Sequence, residues 1–317
     1  MAVLSAGKLG PIFFVLIEYL FFIEIKFKSV EILKSYVIGD DMNPFQLDVN
    51  GLEKKARAIR RKIIRLNADS PAGGHTGADL SQVEIVTSLY FRLLNCAPDR
   101  ISDDDRDIYI QSKGHAAGGY YCCLAEAGYF PEDWLPSYQH NDSHLPGHPV
   151  RQKTPGVELN TGALGHGLPV AVGLALAAKR DGRSRKVYVL TGDGELAEGS
   201  NWEAALAASH YQLDNLIVIN DKNKLQLAGP TEAIMKTDPL DQKWQAFGFS
   251  VTQCDGNDVA SIVSTLEGLK VEGKPNVVIA NTTKGAGVSF IAGRPEWHHR
   301  VPKGEEIDLA LKELADV

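Results

Sequence analysis

The sequence predicts an α/β fold in which one parallel sheet is flanked by helices. Short apolar runs such as KVYVL (186–190) and NLIVI (215–219) alternate with helical stretches. Wholly apolar strands set between helices belong to a sheet covered on both faces. Each run also ends in a polar or glycine-bearing turn, which places the variable chemistry at one sheet edge. The chain has 317 residues and is 44% hydrophobic, which suits a single large domain with a sizeable core.

The elements follow in order. Leu52, Ala56, Ile59, Ile63 and Leu66 recur at helical spacing, with lysines and arginines between them. A basic amphipathic helix can bind a membrane or nucleic acid. The plainer reading is a solvated helix face, and a net charge of −7 favours it. DSPAGGHTGADLS (69–81) reads as a glycine-rich loop and QVEIVTSLYFRLLN (82–95) as a buried helix. RDIYIQSKGHA (106–116) is a strand entering a glycine-histidine turn, followed by a helix of small residues over 116–129 and a loop over 141–149. A glycine loop leads into an alanine-rich helix over 158–182, then strand and turn at 186–194, a helix at 200–213 and a strand at 215–224. The alternation continues through strand 249–256, helix 258–270 and strand 275–285.

Residues 1–41 differ from the rest. PIFFVLIEYLFFIEIKFK (11–28) is apolar, but Glu18 and Glu24 interrupt it. A spanning helix needs about 20 apolar residues, so a membrane span is not expected. No small-residue cleavage site marks a signal peptide. A peripheral anchor, a docking helix and an unused upstream start stay open, and Met42 reads as a natural beginning. The expected organisation is therefore an extension over 1–41 and one domain over 42–317. None of Cys96, Cys122, Cys123 and Cys254 forms a C-x-x-C pair, which suits a reduced, cytoplasmic compartment.

TGDGELAEG (191–199) poses the chemical question. A phosphate loop of the G-x-x-x-x-G-K-[ST] type needs a lysine that is missing here, and the G-x-G-x-x-G spacing fails after the second glycine. A loop that offers carboxylates can instead hold a cation that carries the phosphate. Mg²⁺ takes six oxygens, often one or two protein carboxylates together with phosphate oxygens. Asp193 supplies one oxygen, Asn223 at the end of the next strand a second, and the backbone carbonyl of Leu225 a third. Gly192 and Gly194 let the backbone approach a phosphate. A G-D-G turn alone is commonly only a turn. Paired with NDKN (220–223), it is far more specific.

That pair resembles the thiamin diphosphate signature. GGHTG, SKGHA, PGHP, NTGALGHGLPVAVGLA, GDGELAEGSNWEAA and NDKN occur in the order of the transketolase family. The resemblance runs from about residue 50 to 300. It implies the thiamin diphosphate-binding fold, specifically the pyrophosphate-binding domain. Family enzymes carry two further domains, so this chain resembles the N-terminal subunit of a split transketolase. The implied partner is a C-terminal subunit with the pyrimidine-binding domain, in an α₂β₂ assembly acting on sugar phosphates.

By resemblance, Asp193, Asn223 and the Leu225 carbonyl hold Mg²⁺. Gly194, His115 and His298 contact the diphosphate, and Gly162 and Leu164 line the cofactor. His75 and His148 face the substrate, and Glu198 and Glu203 match acids of a network between paired sites. The family has a glycine where His299 stands, so His298 is taken as the matching histidine. A lone histidine is usually a surface or core residue, but His75 and His115 lie in glycine-flanked turns that suit no core. The four histidines do not make a helical zinc pair, and no cysteine joins them. Two alternatives remain: a 1-deoxyxylulose-5-phosphate-synthase-like subunit with pyruvate as donor, and a non-catalytic binding subunit.

Overall fold

Alternate residues of the strands enter two different cores. Val187 and Val189 face one, Tyr188 and Leu190 the other. The same alternation separates Leu216 and Val218 from Ile217 and Ile219. Period-two burial with apolar residues at both parities requires helices on both faces.

A computed structural model describes residues 43–270 and 273–315, so the extension 1–41 lies outside the described residues. The described residues belong to the compact unit Asn43–Val317. The strands are β1 (Ile108–Gln111), β2 (Val187–Gly192), β3 (Leu216–Lys222), β4 (Ser250–Asp255) and β5 (Asn276–Asn281). All pairs are parallel, in the order β1-β2-β3-β5-β4. Every strand therefore delivers its carboxyl end to one edge.

One face is covered by α1 (Val49–Asp69), α3 (Val83–Ser88), α4 (Ala117–Glu126), α9 (Val259–Glu267) and α10 (Glu305–Glu313). The other carries α5 (Gly167–Arg180), α6 (Gly199–His210) and α8 (Leu240–Ala246). Two short helices, α2 (Thr76–Ser81) and α7 (Thr231–Ile234), stand at the carboxyl edge and its neighbouring loop.

Helix α1 starts where Asp48 Oδ1 accepts a 2.8 Å bond from the Gly51 amide, an N-cap. Leu52, Ala56, Ile59 and Ile63 form its buried stripe. Three of its basic residues pair within the domain. Lys55 and Lys62 pair with Glu126, and Arg60 pairs with Glu84 while its Nε donates to the Ala286 carbonyl at 3.0 Å.

One expectation is corrected, and two features lie beyond what was expected. The glycine-rich segment 69–81 is not all loop, because α2 occupies its second half with all six residues buried. Helix propensity is low there, and packing decides. Strand β4 is not buried on both faces, since Thr252, Gln253 and Asp255 are exposed at the sheet edge. Helix α10 lies beyond the last expected element; Ala310 and Leu314 dock it on the first core. Among the described residues, no helix is long and apolar enough to cross a membrane.

Ile219, fully buried on central β3, tests the core. Ile219→Ala is expected to lower stability by about 2–5 kcal/mol. Urea unfolding should show a lower midpoint with an unchanged m-value.

Candidate active site

The carboxyl ends of β2 and β3 carry the oxygen donors. Asp193 follows β2 and is 3% exposed. Its Oδ1 accepts from the Gly194 amide at 2.8 Å and its Oδ2 from the Lys224 amide at 2.6 Å. Burial and the neighbouring Asp221 carboxylate push its pKa up to about 6, against the pull of those amides. Lys224 takes φ +63°, a left-handed turn, between Asn223 and Leu225. Asn223 Oδ1 accepts from the Leu225 amide at 3.1 Å. The candidate donors are a buried carboxylate, an amide oxygen and a backbone carbonyl. Hard oxygens of this kind suit Mg²⁺ and leave positions for phosphate oxygens and water.

The histidines meet beside this edge. The His75 ring centroid lies 5.2 Å from that of His115 and 5.4 Å from that of His298, and His115 and His298 stack at 5.3 Å. His148, at the rim, lies against the glycine loop, since a Cβ on Gly162 would fall 2.8 Å from His148 Cδ2. Gly162 takes φ +133°, and a Cβ on Gly114 would approach its amide nitrogen to 2.6 Å. The loop therefore reaches His115 and His148 only with glycine at both places. No hydrogen bond to the rings of His75, His115 or His148 exists among the described residues.

Electrostatics hold these imidazoles neutral. Burial lowers His75 to about 4, helped by His299 and His148. Burial and then Lys284 lower His298 to about 3. Burial and then Lys113 drive His115 well down, and burial lowers His148.

The structure adds three groups that the motifs did not single out. Lys284, just past β5, is 1% exposed; its Nζ donates to the Leu225 carbonyl at 2.9 Å and contacts His298 Nδ1 at 2.8 Å. An ammonium donating to Nδ1 leaves the His298 proton on Nε2. Burial and Lys113 lower Lys284 to about 8 against the pull of Asp221 and Asp193. Lys113, also 1% exposed, makes a buried ion pair with Asp221. Glu195 is buried and accepts from the amides of Gly165 and Gly192, each at 3.0 Å, and from the Ser112 hydroxyl. It thereby ties the two glycine loops to the end of β1. The readable signal for Lys284 was its place in NTTKG, directly after a strand.

Of the remaining predicted positions, Gly192 and Gly194 flank Asp193, and Leu164 is half-buried on the glycine loop. Glu198 and Glu203 are exposed at the start of α6 and on its outer face, and neither has a hydrogen bond joining it to the histidines.

A parallel sheet with an oxygen-donor edge beside a histidine cluster suits a domain that binds a metal together with a phosphate-bearing cofactor. The chain belongs to the transketolase family: residues 54–315 match the family described as transketolase, thiamine diphosphate binding domain. It is 74% identical over 275 residues to an apulose-4-phosphate transketolase subunit of Actinobacillus succinogenes, covering 87% of this chain and 100% of that protein. The apulose-4-phosphate transketolase subunit of Phocaeicola vulgatus is 40% identical, over 85% of this chain and 96% of that one. A 6-deoxy-6-sulfo-D-fructose transketolase subunit of a Clostridium species is 38% identical, over 86% and 98%. The solved transketolase of Leishmania mexicana superposes with a TM-score of 0.77 at 30% identity, over 85% of this chain. This chain spans 41% of that enzyme's length.

The low histidine pKa values have a thermodynamic consequence. As pH falls from about 6.5 towards 4, the unfolded chain takes up protons at His75 that the folded chain refuses, so stability is lost in that window. His75→Asn removes this loss. Urea unfolding at pH 7.5 and pH 5 should show the wild type losing more stability than the variant; equal losses would contradict a neutral, buried His75.

Proposed function

We propose that the chain is the thiamin diphosphate-binding subunit of a two-subunit transketolase. It transfers a two-carbon ketol unit from a ketose phosphate to an aldose phosphate, with apulose 4-phosphate as the donor. The carbon–carbon bond beside the donor ketone breaks, and a new one forms to the acceptor's aldehyde carbon. The observation that carries the reading is the juxtaposition at one sheet edge of the Asp193 oxygen set and an imidazole cluster held neutral beside two buried ammonium groups. The donor rests on the names of the relatives from Actinobacillus and Phocaeicola.

Thiamin diphosphate, when bound, supplies the means of making the carbonyl carbon nucleophilic. Asp193, Asn223 and the Leu225 carbonyl hold Mg²⁺, which neutralises the diphosphate. His115, His298 and Gly194 bind diphosphate oxygens, with Lys284 adding positive charge. Gly162 and Leu164 line the cofactor. His75 and His148 lie outward of them and hydrogen-bond the sugar. A neutral imidazole donates at one nitrogen and accepts at the other, so it can both orient a hydroxyl and take or return its proton. Low pKa values keep that acceptor nitrogen free across the neutral range.

The pyrimidine half of the cofactor needs a second surface. A C-terminal transketolase subunit supplies it in this reading, most simply in an α₂β₂ assembly with two sites. The chain with that subunit is expected to turn over apulose 4-phosphate with an aldose phosphate acceptor, while the chain alone does not. Robust turnover by the isolated chain would refute the split. Faster turnover of xylulose 5-phosphate would refute the donor.

Asp193→Ala tests the metal edge by a thermal readout. A ligand at 100 times its Kd stabilises a fold by about 2.7 kcal/mol. Cofactor plus Mg²⁺ should raise the melting temperature of the wild-type complex and leave that of the variant complex nearly unmoved. Equal shifts would remove Asp193 from the metal site.

A further inference from the structure

The cluster contains an imidazole that none of these roles employs. His299 follows His298 just after the turn Pro295–Trp297 and is exposed. Its ring centroid lies 4.6 Å from that of His75, nearer than His115 or His298, with the planes at 68°. The ring reaches the glycine shoulder of the GGHTG motif, where a Cβ on Gly73 would stand 3.8 Å from His299 Cε1. His75 thus touches His115 and His298 on its buried side and His299 on its exposed side.

The backbone around His299 is fixed on both sides. Trp297 is 1% exposed, the Arg300 guanidinium packs over its ring at 4.0 Å, and His298 is tied to Lys284. Among the described residues the His299 ring makes no hydrogen bond. An anchored backbone, an exposed ring and free ring nitrogens beside a substrate-facing histidine are the properties of a recognition group.

We propose that His299 is a specificity-determining residue that, beside His75, hydrogen-bonds hydroxyl groups of the donor sugar lying outward of the reacting carbonyl. The inference rests on the transketolase reading above. Its substrate class is a polyhydroxylated ketose phosphate, and its role is to select among such donors.

The test uses the reconstituted two-subunit complex loaded with thiamin diphosphate and Mg²⁺. Wild type, His299→Ala and His299→Asn are compared with apulose 4-phosphate and xylulose 5-phosphate as donors. Loss of one neutral hydrogen bond should raise KM for apulose 4-phosphate about five- to tenfold in His299→Ala, with kcat changed less. The change for xylulose 5-phosphate should differ, altering the donor preference. His299→Asn, which can donate and accept, should recover most of the loss. The melting temperature and its rise with cofactor should not move in either variant. An unchanged donor preference in His299→Ala, or a loss that follows weaker cofactor binding, would overturn the proposal. Wild-type inactivity with both donors would instead overturn the transketolase reading, and this inference with it.

Discussion

The buried ion pair between Lys113 and Asp221 is the constraint around which the site is arranged. Lys113 follows β1 and Asp221 lies near the end of β3, so the pair spans β2. Burial alone would raise the Asp221 pKa, but the Lys113 ammonium and hydrogen bonds from Ser81 and Thr282 hold it low. Ser81 of α2 donates to it at 2.6 Å, Asn223 donates at 3.3 Å, and Thr282 donates from the segment after β5. Lys113 also donates to the Ala78 carbonyl at 3.1 Å. One carboxylate and one ammonium thereby join α2 to the SKGH, NDKN and NTTKG segments. Apolar replacements could fill the same volume without the desolvation cost. They would not fix these four segments relative to each other, and that geometric role is what accounts for a charged pair here.

The pair also shapes the electrostatics around it. Lys113 and Lys284 place two ammonium groups beside the imidazoles, and among the described residues only Lys113 has a carboxylate in direct contact. Their positive charge disfavours imidazolium, which adds to burial in keeping His115 and His298 neutral. The same charge favours an anion such as a diphosphate. Asp193 works in the opposite sense: a buried carboxylate next to Asp221 favours a cation. Leu225 stands where the two preferences meet, with its carbonyl accepting from Lys284. A carbonyl has two lone pairs, so this bond leaves one for a metal. Adjacent regions of opposite preference suit a metal–diphosphate pair better than either ion alone.

Much of this was legible in the sequence because it is local. Strands such as VYVLTG and LIVINDK declare themselves by their apolar runs, and the GDG and NDKN motifs straddle the strand ends. The histidines could be read from their glycine neighbours. What stayed hidden depends on contacts between distant segments. Lys284 joins the candidate site through Leu225, 59 residues away, and Glu195 through Gly165, 30 residues away. Helix α2 was hidden because Gly77 weakens its local signal. That glycine is needed where the Lys284 stem passes, since a Cβ would come within 2.9 Å of Lys284 Cγ. The placing of β5 between β3 and β4 is likewise a matter of pairing, to which composition is blind.

The histidine cluster has a direction. At its inner end His298 is fixed by Lys284, and His115 stacks against it beside the ammonium groups. At its outer end His148 and His299 are exposed, with ring nitrogens that bond nothing among the described residues. His75 lies between, touching rings on both sides. Electrostatic demands differ along this line. The inner rings sit in a positive field that suits an anion and are restrained by the fold, so altering them disturbs charges shared by several motifs. The outer rings are free of those ties, and their hydrogen bonds are open to a ligand. Changes of substrate are therefore physically easiest at the outer end, where a side chain can be exchanged without disturbing the Lys113–Asp221 pair. A family that keeps one cofactor while its members act on differently named sugars is consistent with a site divided in this way.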